Sequence, residues 1–100
     1  GIATFAPIIG NVLDNSPAKL NDLRVNDIII SVNDNEIFEF SDIPIALGDA
    51  EEISLIVQRN SQLIEKKFKL QFNDELNRYV MGISSNNDPI IYKFNIFKMF

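Results

Sequence analysis

The sequence predicts a small α+β domain in which short antiparallel strands are combined with two short helices, and three observations carry that prediction. Ile28–Val32 is a β-branched-rich run that ends in Asn33-Asp34-Asn35, a strand followed by a strong turn signal. Ser16-Pro17-Ala18 supplies a hydroxyl able to cap a helix and a proline at the first helical position, where its missing N–H costs nothing. Residues on either side of Asn60-Ser61 alternate apolar and polar at period two, the pattern of a hairpin with one buried face.

In chain order, residues 1–13 hold two short apolar stretches split by Ala6-Pro7, and the second, Ile8–Leu13, reads as a strand. Ser16–Leu23 is a short helix, and Asn26 suits a left-handed turn position before the strand Asp27–Val32. Asn33–Asn35 turns the chain into a short returning strand at Glu36-Ile37. Ser41 caps a second helix that runs to Leu47. Asp42 suits its positive end, Pro44 falls in the tolerated first turn, and Gly48 terminates it. Glu52–Arg59 puts Ile53, Leu55 and Val57 on one face. In Gln62–Phe72, Ile64, Phe68, Leu70 and Phe72 share a face that Lys66 interrupts. Asn73–Asn77 is a polar loop, Tyr79–Ile83 a last strand and Ser84–Asp88 another loop. The expected core is Ile9, Val12, Leu23, Ile28, Ile30, Val32, Ile37, Leu47, Leu55, Val57, Phe68 and Leu70.

The tail, Pro89–Phe100, is ambiguous. Ile91, Phe94, Phe97 and Phe100 recur every three residues, while Ile90, Tyr92, Phe94 and Ile96 recur every two, so periodicity does not choose between helix and strand. Either the tail packs on the domain's own core, or it is an amphipathic stretch meeting a membrane surface with Lys93 and Lys98 reaching for headgroups.

Composition narrows the chemistry. The chain has 100 residues, one domain's worth, with 46% apolar and 23% charged residues, ordinary for a folded domain. No window approaches the ~20 apolar residues that a membrane-spanning helix needs. The net charge of −5 argues against a nucleic-acid partner, which calls for a basic stripe. The imbalance lies in the first fifty residues, with 8 acids against 2 bases, and reads as solvated faces. With no cysteine there is no disulfide or thiolate metal site, and with no histidine there is no imidazole base, triad or HExxH site. The carboxylates stand beside turns rather than inside apolar runs that would raise their pKa. No residue of this chain is expected to be catalytic.

The order Ser16-Pro17-Ala18, Leu23, Asn26-Asp27-Ile28-Ile29, Val32-Asn33 resembles the "SPA…GL..GD.I..VNG" pattern of bacterial PDZ domains. The resemblance covers roughly residues 7–72. It implies the circularly permuted PDZ arrangement, a five- or six-stranded, partly closed antiparallel barrel or sandwich with two helices. Asp22 and Asn26 stand where the pattern has glycines, and Asp34-Asn35 stands in place of the usual turn pair. Such domains occur in membrane-embedded site-2 zinc proteases, in periplasmic serine proteases and in carboxy-terminal processing proteases. The flanks favour the first group, of the regulator-of-sigma-E protease type. Ala6–Val12 is similar to the start of site-2 protease PDZ domains after a membrane helix, and Arg78–Ile83 is similar to the "IGI" element that follows them.

That resemblance implies a PDZ-like domain at 7–85 of a longer protein, a lead-in at 1–6 from a membrane segment, and an apolar, membrane-proximal tail at 86–100. The parent would be a zinc metalloendopeptidase of the inner cell membrane, with this domain on the periplasmic face and the zinc ligands outside this segment. The partner would be a membrane-protein substrate or a peptide segment of one, gated or recognised for regulated intramembrane proteolysis. The alternatives are a peptide-binding PDZ domain of a periplasmic serine protease and a non-enzymatic scaffold module. The expected peptide groove lies between the second helix, through Ile43, Ala46 and Leu47, and a strand edge at Met81, Gly82, Ile83 and Ser84. Gly82 there would let a ligand carboxylate approach backbone N–H groups. Gly1–Thr4, another Gly-Ile followed by small residues, competes for the same edge.

Overall fold

The computed structural model describes residues 6–85, so the tail and Gly1–Thr4 lie outside the described residues. The chain runs β1 (Ile9–Val12), α1 (Pro17–Leu20), β2 (Ile28–Val32), β3 (Asn35–Glu36), α2 (Asp42–Leu47), β4 (Glu52–Arg59), β5 (Gln62–Lys69), β6 (Gln71–Asn73), β7 (Arg78–Val80) and β8 (Ile83–Ser85). The strands pair antiparallel in three sheets ordered β3-β2-β4-β5, β1-β8 and β6-β7. The α+β character and the two helices are as expected. The strands are more numerous and shorter than expected, and the sheets do not close into a barrel. Two breaks cause this. Buried Leu70 ends the long hairpin strand between β5 and β6, and Met81-Gly82 splits the expected Tyr79–Ile83 strand into β7 and β8.

The turns show why polar residues replace glycines here. Asp22 (φ 61°) and Asn26 (φ 77°) both adopt the left-handed conformation that the pattern's glycines imply. The exposed Asp22 carboxylate accepts two hydrogen bonds from the Arg24 guanidinium, each 3.0 Å. In the β2–β3 hairpin the central pair is Asn33-Asp34 (φ 49° and 68°), between Val32 and Asn35, one residue earlier than expected. Asn60-Ser61 (φ 51° and 71°) repeats the same left-handed pair between β4 and β5.

Helix α1 starts as the sequence indicates: the Ser16 hydroxyl accepts from the Lys19 N–H at 3.2 Å and donates to the Leu13 carbonyl at 2.7 Å. Helix α2 does not. Ser41 makes no side-chain cap, and its hydroxyl donates to Glu39 instead. The Asp42 carboxylate turns back to accept the N–H groups of Phe38 and Glu39, both at 3.0 Å, which fixes the approach to the helix.

The core collects Ile9, Ala18, Leu23, Ile29, Val32, Ile37, Ile43, Ile53, Leu55, Val57, Leu70 and Met81. Val12, Leu47 and Phe68, expected inside, are half-buried against it. Ile28 and Ile30 are corrections: both are only half-buried, and Ile29 is fully buried in their place. The cause is a bulge. The β2–β4 register shifts between Ile29 and Ser31, so Ile29 and Val32 point inward from one strand although two residues, Ile30 and Ser31, lie between them and regular alternation would put them on opposite faces.

Candidate functional site

The strand expected to line the groove is anchored at three points. The Leu13 N–H donates to the Gly82 carbonyl at 2.9 Å and the Ala18 N–H, in the first turn of α1, donates to the Met81 carbonyl at 3.0 Å. Beyond them β8 pairs with β1 through Val12↔Ile83, Asn11↔Ser84 and Ile9↔Ser85. Met81 sends its side chain into the core rather than toward a groove.

Gly82 has φ 92°, and a Cβ built on it would lie 2.3 Å from the Ser16 Cβ and 2.7 Å from its Oγ. The glycine is therefore required by close packing against the cap of α1. Ser16 thus occupies the side of Gly82 on which a side chain would lie.

On α2, Ile43 is buried, while Ala46 and Leu47 are half-buried on the core. Ile43, Ala46, Leu47, Met81 and Ile83 thus belong to one apolar cluster, and Ser84 is buried beside them. The solvent face of α2 carries Ile45, 79% exposed, close in sequence to the equally prominent Phe38. A separate open cleft of about 680 Å³ lies past the end of α2, lined by Asp49, Ala50, Glu51, Glu52, Lys69, Leu70 and Tyr79. None of the expected groove residues lines it. The Tyr79 hydroxyl donates to Glu51 at 3.3 Å, and the nearby Glu51 charge raises the Tyr79 pKa.

The groove strand also depends on a charge cluster that the sequence pattern did not single out. Asp27, 1% exposed, accepts two hydrogen bonds from Arg59, from Nε at 2.8 Å and Nη2 at 2.7 Å, and a third from the Arg24 N–H at 3.0 Å. Burial pushes the Asp27 carboxyl up. The Arg59 hydrogen bonds, the Arg24 amide and the two guanidinium charges outweigh it, leaving the pKa below the ordinary value. The hydrogen bond to Asp27 correspondingly raises Arg59. The same turn grips β1: Ile9 donates to the Asp27 carbonyl at 2.9 Å, and Asn26 donates to the Ile9 carbonyl at 2.8 Å. Arg59 on β4 therefore fixes the turn, the turn fixes β1, and β1 carries β8. The available signal was an acidic residue set directly against the apolar run Ile28–Val32, since a carboxylate in that setting needs a buried partner.

Comparison with solved structures settles the fold. The PDZ domain of an SdrC-like protein from Listeria monocytogenes superposes with a TM-score of 0.68 at 15% identity, covering 85% of this chain and 92% of its own. The second domain of another Listeria protein gives 0.65 at 17% identity, covering 87% and 89%. This chain has the PDZ fold. No family model matches its sequence. A Rickettsia conorii protein named "putative zinc metalloprotease" is 31% identical to the PDZ domain described here, over 96% of this chain. The chain spans 30% of that relative's length. The fold and the relative both fit the resemblance to site-2 protease PDZ domains.

The chain contains no histidine or cysteine, and no group of acidic side chains among the described residues is arranged to hold a metal ion. No zinc-dependent step is assigned to its residues.

Proposed function

We propose that this PDZ domain is the extracytoplasmic domain of a site-2 membrane-embedded zinc metalloprotease, where it gates or recognises membrane-protein substrates for regulated intramembrane proteolysis. The observation that carries this reading is the alignment to the Rickettsia protein, which runs through nearly all of this chain and leaves most of the relative outside it. The zinc ligands would lie in that remainder. A membrane-buried site has to refuse a substrate with a bulky folded ectodomain and admit a trimmed one, and a rigid domain over the entrance does this by size.

On this reading the domain lies on the periplasmic face of the inner membrane, with residues 86–100 close to the lipid surface. Their phenylalanines, isoleucines and two lysines suit an interface with anionic headgroups. A substrate segment would add beside Met81–Ser84 and rest on α2 at Ile43, Ala46 and Leu47, with affinity from main-chain hydrogen bonds and selectivity from the apolar cluster.

The test is cleavage of a membrane substrate, with and without its folded ectodomain, by the full protein and by a form lacking residues 7–85. Gating requires the deletion to admit the untrimmed substrate. If the deletion leaves the preference for the trimmed substrate unchanged, gating is refuted. The neighbouring sequence tests the assignment itself: an HExxH motif inside an apolar helix supports it, whereas a chymotrypsin-like domain with its own His, Asp and Ser makes the parent a serine protease. Peptide recognition is tested by titrating carboxy-terminal hydrophobic peptides, and absence of amide shifts at residues 43–47 and 81–84 at millimolar peptide discards the groove.

A further inference from the structure

Strand β5 is the longest edge the described residues present. It pairs with β4 without a bulge over all eight of its residues, contains no proline, and among the described residues forms ladder pairs with β4 alone. The opposite edge of the same sheet, β3, has only two residues. Natural sheets usually shorten, bend or cover such an edge, because its outward N–H and C=O groups are a template for another strand.

The outward groups can be identified. Leu70 donates to the Glu51 carbonyl at 2.8 Å, continuing the register in which Lys69 faces Glu52 and Lys67 faces Ser54. Antiparallel strands alternate, so the even-numbered residues of β5 bond to β4 and the N–H and C=O groups of Leu63, Glu65, Lys67 and Lys69 point away from it. The side chains of those four residues are also exposed.

We propose that this edge is a dimerisation surface, on which β5 of a second copy adds antiparallel about a two-fold axis at Lys66. The pattern is self-complementary in that register. Glu65 falls opposite Lys67 of the second copy, and by symmetry Lys67 falls opposite its Glu65, giving two ion pairs. Leu63, 67% exposed, falls opposite the stem of Lys69. On the other face Ile64 meets Phe68 of the second copy, both half-buried in the single chain, and each pair adds apolar contact. Lys66 meets its own copy at the axis, and this one like-charge pair weakens the association. The two four-stranded sheets become one continuous sheet across the axis. This inference does not depend on the proteolytic reading and would hold for a PDZ domain of any parent.

Sedimentation of the 100-residue chain up to millimolar concentration, read together with amide exchange, tests it. The expected result is a weak dimer in which the Leu63, Glu65, Lys67 and Lys69 amides gain protection as concentration rises. Lys67→Glu sets Glu65 against a glutamate twice and should raise Kd about tenfold or more, whereas Lys66→Thr should lower it. The Glu65→Lys/Lys67→Glu double variant should recover the dimer. Equal parts of the single variants Glu65→Lys and Lys67→Glu should associate with one another more tightly than either does alone. All are exposed or edge substitutions, and the circular dichroism of each variant confirms folding. The proposal is overturned if the chain stays monomeric with fast edge exchange, if a dimer forms that Lys67→Glu leaves unchanged, or if the four amides are already protected at high dilution.

Discussion

Replacing Gly82 with alanine tests the packing that seats the groove strand. The substitution meets two separate costs. Gly82 sits at φ 92°, and forcing a residue with a Cβ into left-handed backbone costs about 1–2 kcal/mol. The new methyl would also stand 2.3 Å from the Ser16 Cβ, which is joined directly to the backbone that caps α1 and cannot swing aside. Overpacking of this kind costs about 1–3 kcal/mol. Gly82→Ala should therefore destabilise by about 2–5 kcal/mol, unless β8 detaches first and surrenders the hydrogen bonds at Leu13 and Ala18. Urea unfolding gives the global loss, and hydrogen exchange at residues 83–85 separates detachment from uniform weakening. A second variant isolates the contact. Ser16→Gly is tolerated at a cap for a few tenths of a kcal/mol, and combined with Gly82→Ala it removes the clash but not the backbone cost. The double variant should recover about 1–3 kcal/mol of the loss. A Gly82→Ala effect below about 0.5 kcal/mol, or strict additivity of the two substitutions, would refute the reasoning.

Three further outcomes follow from the buried charge pair and the bulge. Arg59→Ala leaves the buried Asp27 carboxylate unpaired and should cost about 3–5 kcal/mol in urea unfolding, together with weaker protection of the β1 amides. In the intact domain Asp27 is held below its ordinary pKa, so its contribution is complete above the unfolded value of about 3.9 and is lost as pH falls through the folded value. Urea midpoints measured down the acid range should show that limb, and Arg59→Ala should flatten it. Ile29→Ala should cost about 2–5 kcal/mol while Ile30→Ala costs less than about 1, and the reverse ranking would exclude the β2 bulge.

The sequence made some parts of this domain legible and hid others for definable reasons. Ser16-Pro17, the β4 alternation and the Asn60-Ser61 turn are local signals, and each appears where the residues place it. The inward face of β2 departs from period-two reasoning because that reasoning assumes an unbroken ladder, and the bulge that leaves Ile30 without a partner on β4 has no mark in the composition of Ile28–Val32. Ser41 has the composition of a cap, but the neighbouring Asp42 carboxylate reaches the free N–H groups of Phe38 and Glu39 from inside the helix. The Asp27–Arg59 pair joins residues on different elements, and nothing in the spacing of either one names the other.

The candidate site shows the same limit at its sharpest. The Ser16-Pro17-Ala18 segment and the Met81-Gly82-Ile83 segment look like independent motifs in the sequence, one a helix start and the other a ligand strand. In the folded chain they are two halves of one contact: the Ser16 side chain occupies the space a Cβ on residue 82 would need, and Ala18 hydrogen-bonds the Met81 carbonyl. A glycine in a strand is equally consistent with ligand approach and with close backbone packing. The position of Ser16 accounts for the glycine through packing. Selectivity at the proposed groove would then come from α2 and from the placement of β8, and Ser16 becomes a positioning residue for β8 although it lies far from it in sequence.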